Sequence, residues 1–201
     1  MTSEPIRDPA SDRLLTPKNA ALVAIDYQPA QIAAVLSMDR RLMMANAVAL
    51  AKVAKLFDLP VVLSTVNVKD GSDPTVPALR EVLGGVDEID RTTINAWEDV
   101  EFVRAVKATG RKKLVMAALW TEACLTFPSL DALAAGFEVY PVVDAVGGTS
   151  VEAHRAGLER VMQAGAKPIS VVQLLCELQR DWARKGTVDG VVEIMSAVQG
   201  R

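Results

Sequence analysis

The sequence predicts a three-layer α-β-α protein, in which helices cover a doubly wound, mainly parallel sheet of about six strands. Short apolar runs alternate with amphipathic segments of helical length, and several of the apolar runs end at an acidic or turn residue. The 201 residues are enough for one domain with a complete core, and half of them are hydrophobic. We expect an N-terminal arm over residues 1–18, loose because of its prolines, and one domain over residues 19–201.

Each strand is predicted from an apolar run, because strands buried on both faces of a parallel sheet are apolar throughout. The predicted strands cover residues 20–26, 59–66, 87–91, 113–119, 137–145 and, as the sixth, 168–175. Apolar residues at helical spacing predict the helices between and after them. The predicted helices cover residues 40–57, 77–83, 98–109, 123–135, 150–164, 175–183 and 188–198.

Composition excludes several function classes. The formal charge is −3 and basic residues form no long stripe, so we expect no nucleic-acid partner. The densest basic segment, residues 110–113, is predicted to be a solvated loop. Nothing approaches the roughly 18 apolar residues of a membrane span, and the first residues lack the apolar core of a secretory signal. We therefore expect a cytoplasmic protein that acts on a small molecule.

Three chemically capable residues follow predicted strands. Asp26 closes the first strand, Arg91 the third, and Cys124 begins the helix after the fourth. Ligands of such sheets bind beyond the carboxyl ends of the strands, and a helix N-terminus favours a thiolate. Each residue also has a simpler explanation: Cys124 as a small core residue, and Asp26 with Arg91 as a structural ion pair. No glycine-rich fingerprint follows the first strand, so a dinucleotide cofactor is not expected.

The order of these motifs resembles the isochorismatase-like cysteine hydrolases. The resemblance rests on Asp-x-Gln at Asp26 and Gln28, on Thr-Glu-x-Cys at residues 121–124, and on "GFEVYPVVDAVGGTS" followed by His154. It extends over about residues 18–185. The segments "INAWEDVEFVRAVKATGRKKLV" and "ELQRDW" resemble one branch, a group of bacterial hydrolases that form ring-like oligomers.

The resemblance implies a catalytic triad of Cys124 as nucleophile, Asp26 as base and Arg91 as cation. Arg91 is a departure, because most relatives have lysine there. It also implies a cis peptide bond between Leu119 and Trp120, with the N–H groups of Trp120 and Cys124 forming an oxyanion hole. The implied reaction is hydrolysis of a small amide-like C–N bond through a thioester. No cofactor is implied, and the implied assembly is a homo-oligomer, a tetramer or octamer.

Further residues are assigned by their positions. Gln28, Tyr27, Trp97 and Trp120 are predicted to contact substrate, because they lie close in sequence to the three catalytic candidates. Gln28 has alternatives as a residue that orients Asp26 and as a plain turn residue, and Trp97 and Trp120 as ordinary core aromatics. The only histidine, His154, is predicted to be structural, and Cys176 to lie in the core. With one histidine and no clustered cysteines, no metal site is expected.

Three other functions remain open. Isochorismatase itself cleaves a vinyl ether without a nucleophilic cysteine, so Cys124 argues against that reaction. A non-hydrolytic binding or scaffold protein would explain the replacement of lysine by Arg91. A redox-responsive protein is the third, because a cysteine of low pKa is easily oxidised.

Overall fold

A computed structural model describes residues 7–198 and residue 200 of the chain, and five parallel strands form the centre of the fold. The strands are β1 (Ala20–Ile25), β2 (Val61–Val66), β3 (Glu88–Arg91), β4 (Lys113–Ala118) and β5 (Glu138–Pro141). Every residue of β1 and β4 is buried, as expected of central parallel strands, and all of them except Lys113 are apolar. The predicted three-layer α/β class is confirmed.

The strand order is β3-β2-β1-β4-β5. The chain moves outward from β1 to β3 and then returns to place β4 on the other side of β1, so the direction of winding reverses between β1 and β4. Ile25 at the end of β1 pairs with Ser64 of β2 and with Ala118 of β4. The residues that follow β1 and β4 therefore lie side by side at the position where sheets of this kind bind ligands.

Helices cover both faces of the sheet. Most lie close to their predicted positions, but the short helix Pro29–Ala33 was not predicted, and the helix predicted over residues 175–183 covers Val171–Gln179 instead. The helices are α1 (Pro29–Ala33), α2 (Arg40–Leu56), α3 (Pro77–Val82), α4 (Val100–Ala108), α5 (Thr126–Ala134), α6 (Val151–Gln163), α7 (Val171–Gln179) and α8 (Lys185–Val198). Helix α2 contacts α3, α7 and α8 on one face, whereas α5 contacts α6 on the other. Within the described residues, no helix is both long and apolar enough to cross a membrane.

The predicted sixth strand, residues 168–175, is wrong. Only Ile169 pairs with the sheet, through a single parallel bridge to Val142, and helix α7 begins two residues later. The side chain of Ser170 accepts a hydrogen bond from the Gln173 N–H and so caps this helix. The buried residues are spaced three or four apart, which fits one helix face: Val171, Leu174, Leu175 and Leu178.

The N-terminal arm is not loose where the structure describes it. The side chain of Leu15 is fully buried in the core, and its N–H donates to Glu177 at 2.7 Å. The Lys113 ammonium donates to the carbonyl oxygens of Asp12, Arg13 and Leu14 at 2.6, 2.7 and 3.2 Å. Lys113 is buried, so the prediction of a solvated basic loop is wrong at this residue. Residues 1–6 lie outside the described part of the chain.

Candidate active site

Asp26 lies directly beyond β1 in the left-handed backbone region, with φ of 61°. Aspartate tolerates this conformation better than most residues. The Asp26 N–H donates to the Ser64 carbonyl at 2.9 Å, which continues the pairing with β2, and the Gln28 N–H donates back to the Asp26 carbonyl at 2.8 Å. The chain thus leaves the sheet in a tight turn immediately after the carboxylate.

Arg91 ends β3 and reaches across the end of β2 to Asp26. Its Nη1 donates to Oδ1 at 3.1 Å and its Nη2 to Oδ2 at 2.8 Å, so the pair is bidentate. Nη1 also donates to the Thr65 carbonyl at 3.3 Å. Both charged side chains are fully buried. Such a pair is kept because removing one partner would leave the other charge buried alone.

Cys124 lies on a π-helical turn, Thr121–Leu125, that follows β4 and leads into α5. Single π-turns of this kind are frequent at functional sites. The preceding Leu119–Trp120 peptide bond is cis, at the bond that the family resemblance implied. The Cys124 thiol lies beside the Asp26 carboxylate, so that each group shifts the pKa of the other. The structure therefore brings Cys124, Asp26 and Arg91 into one contiguous site.

Burial, and after it the charge and hydrogen bonding of Asp26, raise the pKa of the Cys124 thiol to about 12, against the lowering effects of Arg91 and of the Trp120 backbone. Burial also raises the pKa of Asp26 above its ordinary value, against the lowering effect of Arg91. The sequence-based expectation of a favoured thiolate is thus not met in the resting site. The raised pKa favours the protonated thiol beside the Asp26 carboxylate.

The residues next to Asp26 do not line an open pocket. Tyr27 is buried, and its hydroxyl donates to the Ala145 carbonyl at 2.6 Å, so it belongs to the core. The Gln28 amide nitrogen donates to the carbonyls of Val66 and Asp73 at 3.0 and 2.6 Å, while its oxygen accepts from the Val66 N–H at 2.9 Å. Gln28 thereby holds the loop after β2 against the turn that carries Asp26.

The two tryptophans near the motifs have different surroundings. Trp120 is half-buried beside Cys124, and its indole N–H donates to the Gln31 carbonyl at 2.8 Å. Trp97 packs edge-on against Phe102 and Phe137, with ring centroids 6.2 and 5.6 Å apart. Because Phe137 directly precedes β5, this aromatic group extends toward the amino edge of the sheet. The structure therefore groups Trp120, but not Trp97, with the catalytic candidates.

Cys176 is exposed, so its prediction as a core residue is wrong. It lies on α7 one position beyond the buried Leu175, on the side of the helix that faces away from the core. The structural role expected of His154 agrees with its contact, in which Nδ1 lies 2.8 Å from the Thr121 hydroxyl oxygen. Among residues 7–198 and 200, no group of three or more potential ligands could hold a metal ion.

Sequence reasoning missed Glu122, which lies two residues before the cysteine. Its Oε1 accepts hydrogen bonds from the Thr149 N–H at 3.0 Å and from the Thr149 hydroxyl at 2.6 Å. The signal was present, because Glu122 is the second residue of the Thr-Glu-x-Cys motif. It was read only as a marker of the family, since nothing in the sequence shows that the "GGTS" segment packs against it.

With this site defined, comparison with known proteins identifies its class. The Isochorismatase domain family matches residues 20–173, and the chain belongs to that family. A more particular relative is the probable hydrolase YcaC of Escherichia coli, which is 35% identical over 183 residues, covering 90% of this chain and 87% of that protein.

Two solved structures of YcaC proteins resemble this fold closely. YcaC from Pseudomonas aeruginosa, with hexane-2,5-diol and covalent acrylamide, is 32% identical with a TM-score of 0.82, covering 93% of this chain and 98% of that one. YcaC from Escherichia coli, described as an octameric hydrolase of unknown specificity, gives the same identity and TM-score, covering 94% and 98%. These relatives support a hydrolase function for the chain.

Proposed function

We propose that the protein is a cysteine hydrolase that cleaves a small amide-like C–N bond through a thioester intermediate. The observation that carries the proposal is the chain of contacts from the Cys124 thiol to the Asp26 carboxylate and from there to Arg91. This arrangement supplies a nucleophile, a base in contact with its proton, and a fixed positive charge behind the base.

In the first step, Cys124 sulfur attacks the carbonyl carbon of the substrate while Asp26 takes the thiol proton. A C–S bond forms, and the carbonyl electron pair moves to oxygen. The N–H groups of Trp120 and Cys124 stabilise this oxyanion, because Trp120 is the N-cap of the helical turn Thr121–Leu125 and Cys124 lies within that first turn, where amides lack intrahelical partners. Arg91 orients the carboxylate and stabilises charge, but an arginine does not donate a proton.

In the second half of the reaction, the tetrahedral intermediate expels the amine, and protonated Asp26 gives it the proton. Water then attacks the thioester while Asp26 accepts a proton from it. Cleavage of the C–S bond returns this proton to the Cys124 sulfur and releases the carboxylic acid. One amide and one water thus become one acid and one amine. No step requires a metal.

The burial and the raised pKa of the Cys124 thiol argue against redox sensing. Oxidation of cysteine follows thiolate character and exposure, and Cys124 has a raised pKa and only 9% exposure. The covalent acrylamide in the Pseudomonas aeruginosa relative supports the proposal from another side, because acrylamide is an electrophile that adds to thiols. We propose the same susceptibility for Cys124.

We further propose that the chain forms a homo-oligomer, a tetramer or octamer. Large apolar side chains are exposed at Leu36, Ile94 and Val151, at 70%, 67% and 58%. The three residues lie in the segments that follow the carboxyl ends of β1, β3 and β5. Two of these segments are in contact, because the Leu36 N–H donates to the Gly148 carbonyl. The Escherichia coli relative is octameric. Light scattering at micromolar concentration should give at least four chain masses, and a monomeric mass would contradict the proposal.

The decisive experiment screens small amides with the wild-type protein and detects a trapped acyl group on Cys124 by intact and peptide mass spectrometry. Cys124→Ala should lose the acyl adduct and all turnover, whereas Cys176→Ala, the matched control, should retain both. Exhaustive chelation should leave turnover unchanged. Turnover that persists in Cys124→Ala would exclude the thioester route.

A further inference from the structure

Glu122 is a partly buried carboxylate beside the nucleophile that the proposed reaction does not use. It lies between Trp120 and Cys124 in the chain, the two residues whose N–H groups form the proposed oxyanion hole. Its Oε1 accepts both the N–H and the hydroxyl of Thr149. The other oxygen, Oε2, is buried and has no hydrogen-bond partner among the described residues. The carboxylate is thus held by Oε1 alone, through two bonds to one residue.

A second set of contacts joins the same two segments. The Thr121 N–H donates to the Gly147 carbonyl at 3.0 Å, and Leu119 pairs with Gly147 in a parallel bridge. On the other side, the Thr121 hydroxyl lies 2.8 Å from His154 Nδ1 on helix α6. The turn that carries Cys124 is therefore fixed by the loop before α6 as well as by α6 itself.

The packing at this contact leaves no room for larger residues. A Cβ at Gly148 would lie 2.6 Å from Glu122 Oε2 and 2.9 Å from the His154 backbone nitrogen. A Cβ at Gly157 would lie 3.0 Å from both the Glu122 Cα and the Thr121 carbonyl oxygen. Helix α6 thus contacts the backbone of the cysteine turn directly, and glycine is needed at both positions.

We propose that Glu122 is a positioning residue that holds the N–H groups of Trp120 and Cys124 in the orientation needed for the oxyanion, a role that rests on the proposed hydrolase function. Oxyanion donors act only within a narrow range of distance, and displacement by about 1 Å can lower a rate by about a hundredfold. A carboxylate suits this task because hydrogen bonds to an ionised acceptor are short and strong. Glu122 takes no part in the bond changes of the proposed reaction, and it acts through the backbone.

A small aldehyde, propionaldehyde, tests the oxyanion hole without knowledge of the natural substrate. The thiol adds across the C=O bond, the sulfur to carbon and the proton to oxygen, and the product oxygen occupies the oxyanion position. Binding is measured as protection of Cys124 from iodoacetamide, with Cys176 in the same sample as the internal reference. Iodoacetamide reacts by displacement of iodide and develops no oxyanion, so its rate without aldehyde reports on the thiol alone.

Glu122→Ala should weaken propionaldehyde binding by about tenfold or more, because the donors are then free to move. Its rate of alkylation without aldehyde should change by less than about twofold, since Asp26 and Arg91 are unaltered. Glu122→Gln keeps an acceptor oxygen for Thr149 and should stay within about threefold of wild type. Gly148→Ala should reproduce the loss, because its Cβ would occupy the place of the carboxylate.

Each outcome separates this role from a general effect on folding. A lower melting temperature with unchanged aldehyde affinity in Glu122→Ala would overturn the proposal. If that variant fails to fold, Thr149→Val removes one of the two donors and should weaken aldehyde binding several-fold; wild-type affinity there would overturn it equally. Failure of the wild-type protein to bind aldehyde, while Cys124 is still alkylated, would instead overturn the proposed hydrolase site, and this role with it.

Discussion

The two edges of the sheet each bury one cation, and they use it differently. Arg91 at the carboxyl edge is 3% exposed and is bound by the two oxygens of the Asp26 carboxylate. Lys113, the first residue of β4 at the amino edge, is 5% exposed and is bound by three carbonyl oxygens of the N-terminal arm. Each donor geometry fits its partner, because a guanidinium presents a planar fork and an ammonium presents three N–H groups.

The difference shows that the partner of a buried charge decides what the charge can do. A carboxylate can accept a proton, so the Arg91–Asp26 pair can provide the base that the proposed reaction requires beside Cys124. Backbone carbonyl oxygens are not protonated near neutral pH, so the Lys113 contacts can only hold residues 12–14 against the sheet. Burial of the cation costs desolvation free energy at both edges, but only at the carboxyl edge can the buried pair take part in the proposed reaction. Variants at Asp26, Arg91 and Lys113 test this distinction.

The largest effect is expected from Asp26→Asn. Without the base, turnover should fall by about a hundredfold to ten-thousandfold. Alkylation of Cys124 should nevertheless become faster, because the charge and hydrogen bond of Asp26 raise the pKa of the thiol and Arg91 lowers it. Asparagine tolerates the left-handed backbone at this position, so the turn should persist. Turnover is followed with the amide found in the screen, and alkylation by peptide mass spectrometry.

Lys113→Met is the matched control, since it also changes a buried charged side chain. Its turnover per folded molecule should stay within about twofold of wild type, because its cation contacts no reacting group. Slower alkylation in Asp26→Asn would show that the carboxylate promotes the thiolate in the resting site and does not raise the pKa of the thiol.

The second effect concerns stability at the carboxyl edge. Arg91→Met leaves the Asp26 carboxylate buried without its cation, and the free energy of unfolding should fall by about 3–5 kcal/mol at pH 7. Arg91→Lys retains the charge but loses the planar fork of the guanidinium, and its free energy of unfolding should fall by less than that of Arg91→Met. Urea denaturation measures both.

The loss in Arg91→Met should shrink on acidification. Burial already raises the pKa of Asp26, and removal of Arg91 raises it further, so the folded variant takes up a proton before the unfolded chain does. A group with a raised folded pKa contributes most to stability below its unfolded pKa and loses that contribution as pH rises. A deficit that is equal at pH 7 and pH 4.5 would mean that Asp26 is not the charge left unpaired.

A smaller loss of stability is expected at the amino edge. Lys113→Met leaves three carbonyl oxygens without their donor, and the free energy of unfolding should fall by about 1–3 kcal/mol. The exposed Arg13 should then be cleaved faster by trypsin, because the arm is no longer fastened. Lys112→Met, at the exposed neighbouring position, is the control and should change neither quantity. Unchanged proteolysis in Lys113→Met would show that Leu15 alone anchors the arm.

The sequence identified the carboxyl edge well because its logic is topological. Parallel strands end at one edge, so residues that follow β1, β3 and β4 must meet once the strand order places β1 beside β4. The cis bond before Trp120 could be expected only from the family resemblance. The direction in which the Cys124 pKa is shifted could not be predicted, because it depends on how deeply the thiol is buried and on its contact with Asp26.

The sequence-based predictions were less accurate at the amino edge and at α7, because the local sequence there is compatible with more than one structure. Lys113 is one of several basic residues in a segment that is typical of a solvated loop, and its carbonyl partners lie about a hundred residues away. The apolar run at residues 168–175 fits a buried strand or a buried helix equally, since periodicity does not separate the two over so short a length. The Ser170 cap decides for the helix, and that helix turns Cys176 to the surface.

The smallest expected effect is that of Lys113→Met on the pH dependence of Cys124 alkylation. With a thiol pKa of about 12, the wild-type rate should rise about tenfold per pH unit between pH 7 and 10 without a plateau.

The two cations lie at opposite ends of the sheet, and the six residues of β4 alone place about 17 Å between its ends. Screening in physiological salt acts over about 8 Å. Loss of the Lys113 charge should therefore move the profile by less than about 0.5 pH unit, whereas Asp26→Asn should move it down by about one unit or more. A shift in Lys113→Met as large as that in Asp26→Asn would mean that the two edges are coupled through the strand between them, and the separation of a fastening edge from a catalytic edge would fail.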